Sequence, residues 1–327
     1  MGTAMTVEET FSYLTRQYGV LSIKQLNELS PLKDDIVSTG IMGLDIALGV
    51  GGIKKGSIVE IYGPESGGKT TLALQMCKQY QKLDRPVLYI DTERTLTKET
   101  IEMMGIKEKN FYLMHVNNLE MALEVCKTVA LNGTFSAIVI DSLAGLVPKA
   151  QIDGNVGDYH AGLFSRIMSE TLPVLTTFLD NSKCTLIITN QLREKVGVMF
   201  GNPERATGGR ALKYYASIRL DIRRLESLKQ GGEEIGMRTR IKVVKNKIAP
   251  PFKEVEFDIM FGHGISVEGD ILDQAVEKEI ITKCSSWYLY DGNRIGMGRE
   301  NAKQYLKDNP AECKKIMTKL KKVSKIA

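Results

Sequence analysis

Eight consecutive residues, Gly63-Pro64-Glu65-Ser66-Gly67-Gly68-Lys69-Thr70, fit the pattern G-x-x-x-x-G-K-[ST] at every fixed position. The chemistry such a loop offers is phosphate binding. Its glycines let successive backbone N–H groups turn inward around the phosphates, and Lys69 reaches the outer ones. The Thr70 hydroxyl is placed to ligate Mg²⁺. Residues 57–62 before the loop form a short apolar strand pattern. Thr71 and the residues after it open a helix whose N-terminus faces the phosphates, which adds Thr71 to the candidate contacts. A glycine-rich turn in a solvent loop would explain neither the Lys-Thr pair nor the two flanks. The loop predicts a nucleoside triphosphate site.

Further strand patterns end in residues that suit such a site, where ligand-facing groups of an open α/β sheet belong. Asp141 follows Ala137-Ile138-Val139-Ile140 and has the profile of a carboxylate that holds Mg²⁺ through water. The alternative is a helix N-cap opening Asp-Ser-Leu-Ala. Asp91 and Glu93 follow the apolar run 87–90. A carboxylate there orients and deprotonates an attacking water if it lies within hydrogen-bond reach. Spacing does not choose between the two. Asn190-Gln191 ends another strand pattern, where an uncharged amide either senses a γ-phosphate or satisfies loop backbone.

The elements that position these groups follow from hydrophobic patterning. The strand patterns 87–91, 137–141 and 186–189 have continuous rather than alternating apolar residues. Strands covered on both faces read this way, which predicts a mostly parallel sheet flanked by helices. Segments 217–222 and 240–244 read as strands beyond it, antiparallel to the rest. Two Gly- and polar-rich stretches, 151–160 and 193–210, are long for loops inside a compact core and are read as functional. Thr6 and Glu9 have capping-box spacing before Phe11, Leu14 and Tyr18, and Val20-Leu21-Ser22-Ile23 reads as a lone strand able to pair with another molecule. From 266 onward the pattern changes to short helices, a hairpin-like Trp287–Asn293 stretch and a lysine-rich end.

Composition excludes several classes. The 327 residues are 43% hydrophobic and 25% charged, as in an ordinary globular protein. No segment approaches the roughly 18 uninterrupted apolar residues of a membrane span, and the start lacks a signal-peptide pattern. Cys77, Cys126, Cys184, Cys284 and Cys313 are scattered, with no Cys-x-x-Cys pair. They argue against a zinc site and for a reducing, cytoplasmic setting. The net charge is +5, and residues 301–327 alone hold eight lysines against Asp308 and Glu312. That end is either a solvated basic helix or a surface that attracts a polyanion such as DNA.

From Ser38-Thr39-Gly40 to the hairpin near Trp287 the chain resembles the RecA family of DNA-strand-exchange recombinases. The resemblance rests on residues 61–66 (Ile-Tyr-Gly-Pro-Glu-Ser), 147–150 (Val-Pro-Lys-Ala) and 198–204 (Val-Met-Phe-Gly-Asn-Pro-Glu). Residues 219–224 (Arg-Leu-Asp-Ile-Arg-Arg) and 242–249 (Lys-Val-Val-Lys-Asn-Lys-Ile-Ala) continue it. It implies an α/β fold: a RecA-type P-loop ATPase core over 35–265, a polymerisation helix and strand over 1–34, and a small α+β C-terminal domain over 266–327. It implies ATP and Mg²⁺ as cofactors and Glu93, rather than Asp91, as the catalytic base. Gln191 matches the family's γ-phosphate sensor. Lys245 and Lys247 match a pair that reaches the neighbouring subunit's ATP; without the resemblance they read as solvated positions of an edge strand. The two Gly-rich segments match the family's DNA loops: Gly154 to His160 leading to Arg166, then Arg193, Lys195, Met199, Phe200, Asn202, Arg205, Gly208, Gly209 and Arg210. Cations, backbone donors and apolar side chains in that mixture hold a strand without reading its sequence. Tyr214 lies near a position of the subunit interface.

The implied partners are single-stranded DNA, homologous double-stranded DNA, further copies in a helical filament, and an SOS-type repressor; no membrane is among them. The implied activity is DNA-dependent ATP hydrolysis with strand exchange. A filament acting mainly as a repressor coprotease and a hexameric helicase of the same fold are the alternatives. Three departures stand out. Thr97 and Thr100 occupy positions where the family commonly has the acid and aromatic that contact adenine, which implies weaker ATP affinity or looser base selectivity. Ala161 replaces a methionine of the first DNA loop. The lysine run at the end stands where many relatives carry an acidic tail, which implies freer duplex binding.

Overall fold

The computed structural model describes residues 5–19, 32–155, 158, 160, 162–194, 204–206 and 209–326. The chain divides into two units, Met1–Asp35 and Ile36–Ala327. In the first unit, helix α1 (Val7–Tyr18) opens with the expected capping box. The Glu9 amide donates to Thr6 Oγ1 at 3.2 Å, and the Thr6 amide donates to Glu9 Oε2 at 2.8 Å. None of its residues is buried, and Phe11 and Tyr18 are exposed. The strand expected at 20–23 lies outside the described residues.

The second unit opens with β1 (Ile36–Val37), α2 (Met42–Ala47) and β2 (Ile53–Lys54), then β3 (Ile58–Gly63) and α3 (Lys69–Tyr80). Alternation follows: β4 (Val87–Asp91), α4 (Lys98–Met103), β5 (Phe111–Met114), α5 (Leu119–Asn132), β6 (Ala137–Asp141), α6 (Lys149–Asp153), α7 (Leu163–Ser182) and β7 (Thr185–Glu194). Next come β8 (Glu204–Ala206), α8 (Gly209–Tyr215), β9 (Ile218–Gln230), β10 (Glu233–Asn246), β11 (Glu254–Met260) and β12 (Gly264–Ile265). Among the described residues these build a ten-stranded sheet in the order β12-β11-β10-β9-β3-β7-β6-β4-β5, with β8 on β7.

From β9 to β5 every neighbouring pair is parallel. The apolar runs predicted this: β3, β4 and β6 are buried at every position, because helices cover both faces. Each fully buried Ile, Leu or Val side chain contributes about 1.5–3 kcal/mol. The segment at 217–222 differs from expectation. It runs parallel to β3 because α8 carries the chain across before β9 begins, and the antiparallel part starts only at β10. The turn between them is Gly231-Gly232, both at positive φ, as a tight hairpin requires. The second Gly-rich segment is also not all loop. β7 continues to Glu194 and returns as β8, with Leu192 opposite Ala206 and Arg193 opposite Arg205.

Residues beyond 266 form α9 (Val267–Glu277), a three-stranded antiparallel sheet of β13 (Ile281–Cys284), β14 (Trp287–Tyr290) and β15 (Asn293–Met297), then α10 (Arg299–Asp308) and α11 (Pro310–Ser324). The expected hairpin turns at Asp291-Gly292, both with positive φ. Met42 of α2 is buried in this lobe's apolar core beside Ile271, Leu306 and Ile316. Polar clamps reinforce the junction. Asp270 accepts the Gly43 amide at 3.1 Å, and Arg299 and Arg238 both bind Asp258 and Asp273.

Burial raises the Asp270 carboxyl to about 7 and the Asp45 carboxyl to about 6. A raised folded-state value favours the protonated form, so this contribution to stability is complete below about pH 4 and is lost as pH rises through 6 to 7. Asp270→Asn is therefore expected to flatten the fall in unfolding temperature between about pH 4 and pH 7. An unaltered pH profile in a folded variant refutes that assignment.

Candidate active site

The glycine-rich loop lies at the C-terminal end of β3 and feeds α3, as the motif requires. Close approach dictates glycine at Gly63, where a Cβ would fall 2.0 Å from the Ile222 carbonyl oxygen, and positive φ dictates it at Gly68. Gly68 sits at φ 97° and Ser66 at φ 56°, which rolls the loop so that its amides face inward. Lys69 Nζ donates to the Gly63 and Pro64 carbonyls at 3.1 and 2.7 Å. Burial lowers the Lys69 ammonium from its ordinary value, opposed by the carboxylates of Asp141, Glu93 and Glu65.

Beside the loop, Asp141 ends β6 and its side chain gathers hydroxyls. Thr70 Oγ1 donates to Oδ2 at 2.7 Å, Tyr89 donates to the same oxygen at 2.6 Å, and Thr189 donates to Oδ1. Asp141 therefore faces the loop across the end of the sheet and does not cap a helix. A hydroxyl and a carboxylate in contact at the mouth of a ring of amides form the donor set for a hard divalent cation beside phosphate. Among the described residues no group of three or more His, Cys, Asp or Glu has metal-binding geometry, so a cation here would need ligands from a bound phosphate and water.

The two acids left open by spacing have different surroundings. Asp91 is buried, and its oxygens accept the amides of Glu93, Arg94 and Leu96 at 3.1, 2.8 and 3.0 Å. It builds the turn. Glu93 stands at the cavity wall, where Oε1 accepts Ser142 Oγ at 2.9 Å and Gln191 Nε2 at 3.1 Å. That carboxylate faces the cavity and is held by two neutral side-chain donors.

A cavity of about 790 Å³ joins these groups. Glu65, Ser66, Gly67, Gly68, Lys69, Thr70 and Thr71 line it with Glu93, Asp141 and Gln191. Met103, Met104, Met260 and Phe261 add apolar lining, and Thr100 lines it too. Thr97 caps α4 by accepting the Thr100 amide at 3.3 Å, and only Thr100 of the pair lines the cavity. Sequence reading missed the apolar wall, for which the Gly262 and Gly264 turn after Phe261 was the available signal. It also missed Ser142, Tyr89 and Thr189, which an apolar strand pattern hides.

Lys245 and Lys247 are elsewhere. Lys245 Nζ donates to the Lys213 and Tyr214 carbonyls at 2.7 and 2.8 Å, and Lys247 Nζ to the Tyr215 carbonyl at 3.4 Å. Burial lowers the Lys245 ammonium, and the adjacent Lys247 and Arg219 cations lower it further. The backbone bridges 247 to Ser217 and Ser217 to Ile58, at the start of β3. The phosphate loop begins at the other end of that strand, about 16 Å away by strand rise. These lysines cannot reach the loop of their own chain.

Of the candidate DNA residues, Arg166 is exposed on the first turn of α7, 3.9 Å from Glu170. Gly209 begins α8 directly against Ser165, so the ends of both Gly-rich segments converge, with Arg210 exposed beside them. Arg193 and Arg205 occupy paired backbone positions of β7 and β8. Lys195, Met199, Phe200, Asn202 and Gly208 lie outside the described residues, as does Ala161.

The relatives of this chain agree with the architecture. A profile described as the RecA N-terminal domain matches residues 5–266, and one described as the RecA C-terminal domain matches 269–325. A protein named Protein RecA from Clostridium novyi (strain NT) is 48% identical over 315 residues, covering 96% of this chain and 90% of that one. Its namesake from Streptomyces venezuelae is 48% identical across 96% of this chain and 83% of its own length. That of Clostridium botulinum (strain Alaska E43 / Type E3) is 50% identical over 304 residues, or 93% of this chain and 85% of that one. A solved structure, the crystal structure of the RadB recombinase, superposes with a TM-score of 0.53 at 23% identity over 70% of this chain and 98% of that one, and speaks for the fold alone. With both family domains in order and near-full-length relatives at about half identity, the chain belongs to the RecA family of recombinases.

Proposed function

We propose that the cavity binds ATP with Mg²⁺ and that the chain hydrolyses it within a filament on single-stranded DNA, pairing that strand with homologous duplex. The observation that carries the reading is the Gln191–Glu93 contact at 3.1 Å. It joins Glu93, to which we assign activation of water, to the strand that runs into the second Gly-rich segment.

Each residue then has a task. The loop amides and Lys69 hold the phosphates, and Lys69 leaves the Gly63 and Pro64 carbonyls to do so. Thr70 and Asp141 hold Mg²⁺, which supplies charge neutralisation for the transferring phosphoryl group when bound. Glu93 orients the attacking water and takes its proton, with Ser142 and Gln191 fixing its carboxylate. Gln191 exchanges its bond to Glu93 for one to the terminal phosphate, so that nucleotide state is passed along β7 toward DNA. Met103, Met104, Met260 and Phe261 hold the base by apolar contact beside Thr100.

Lys245 and Lys247 complete the site of a neighbouring copy, where two cations offset developing negative charge. Their separation from the loop of their own chain supports this, as does the mutual repulsion that an incoming anion would relieve. The exposed Phe11 and Tyr18 of α1 suit docking on another copy, and the converging ends of the two Gly-rich segments suit a strand's phosphates through Arg166 and Arg210. No described helix is long and apolar enough to cross a membrane. All five cysteines are free and four are buried, which supports a cytoplasmic setting.

The test is ATP hydrolysis with and without mixed-sequence single-stranded DNA, followed by strand exchange. Stimulation of about tenfold or more is expected, since alignment of subunits completes each site. Equal rates with and without DNA would remove the coupling on which the reading depends. Duplex unwinding by closed rings would favour a helicase instead.

A further inference from the structure

We propose that Tyr89 is a positioning residue for the Asp141 carboxylate, holding it from the core side so that the site side stays free for a divalent cation. The inference rests on the reading of Thr70 and Asp141 given above. Tyr89 is fully buried in β4, yet its hydroxyl meets Asp141 Oδ2 at 2.6 Å, the oxygen that Thr70 approaches at 2.7 Å. Thr189 holds Oδ1 from β7. Strands on both sides of β6 thus each send one hydroxyl to its terminal carboxylate. The two hydroxyls give both oxygens of this buried carboxylate a hydrogen-bond partner. Donors from the two flanking strands also fix its plane, while Thr70 meets it from the phosphate loop.

Thr70 can serve both partners at once, because its proton points to Asp141 while its lone pairs remain for a metal. Tyr89 has no such double duty. Its hydroxyl is enclosed, and its ring packs against Phe111 with centroids 5.7 Å apart. Outer donors that orient a ligating group commonly change metal affinity by about 10–100-fold when removed. A core tyrosine that merely satisfies its own hydroxyl would leave metal affinity alone.

Tyr89→Phe removes one oxygen and keeps the ring packing. The experiment is a Mn²⁺ titration by electron paramagnetic resonance in the presence of a non-hydrolysable ATP analogue, alongside thermal unfolding and metal-free binding of the same analogue. The expected result is a Mn²⁺ dissociation constant about tenfold higher, with metal-free nucleotide affinity unchanged and the protein folded. Thr189→Val is expected to act in the same direction through the other oxygen. Unchanged Mn²⁺ affinity in Tyr89→Phe overturns the inference whatever Thr189→Val does. Failure of Tyr89→Phe to fold also overturns it, by placing the hydroxyl in core maintenance. Absence of nucleotide-dependent Mn²⁺ binding in the unsubstituted protein would strike the parent reading of Thr70 and Asp141.

Discussion

Glu93→Gln is expected to lower the turnover of DNA-stimulated ATP hydrolysis by about 10²–10⁴-fold, the range lost when a general base is removed. Nucleotide affinity should stay close to that of the unsubstituted protein. The amide keeps the shape of the side chain and can still meet Ser142 and Gln191, which hold Glu93 Oε1 at 2.9 and 3.1 Å. What it loses is the ability to accept a proton. Steady-state kinetics separate the two quantities: a fall in turnover with little change in KM marks an interaction made only in the transition state. Near-normal turnover in Glu93→Gln would move the base elsewhere. Asp91 is a poor substitute, because its oxygens already accept three backbone amides. Asp91→Asn should show itself first as lost stability of the 92–96 turn.

Lys247→Ala, alone or with Lys245→Ala, is expected to fold normally and yet lose about 10³-fold or more in DNA-stimulated hydrolysis, the scale on which a trans-acting cation supports phosphoryl transfer. The structure makes this a strong demand. Lys247 is anchored near the start of β3 and the phosphate loop lies at its end, so an effect on hydrolysis must cross to another copy. Mixing supplies the decisive check. A Lys247→Ala subunit keeps Glu93, and a Glu93→Gln subunit keeps both lysines. In a filament assembled from equal parts of the two, about a quarter of the head-to-tail interfaces join an intact site to an intact lysine pair. Activity should therefore return on mixing two inactive proteins. No recovery from a mixture that still assembles on DNA would show that the lysines act within their own chain.

Some of this was legible in the residues and some was not, and the division has a physical cause. Local rules were sufficient for the loop at 63–70, for the fully buried strands ending at Asp91 and Asp141, for the capping box of α1 and for the Asp291-Gly292 hairpin. In each of these a short stretch carries its own geometric requirement: positive φ, inward amides or two covered faces. The orientation of β9 escaped because strand direction depends on the crossover that precedes it. The division of labour between Asp91 and Glu93, two residues apart, was invisible to spacing. It depends on which carboxylate the following turn's amides consume.

Sequence by itself determined that this chain has a phosphate loop, a largely parallel sheet behind it and a basic, helical end. Tertiary structure alone decided who meets whom at the end of the sheet. Tyr89 from β4 and Thr189 from β7 converge on Asp141 of β6, and Ser142 and Gln191 converge on Glu93. It also put Lys245 and Lys247 out of reach of their own phosphate loop. Contacts of this kind join residues 48–98 positions apart, and strand order and register, rather than local propensity, determine such neighbours.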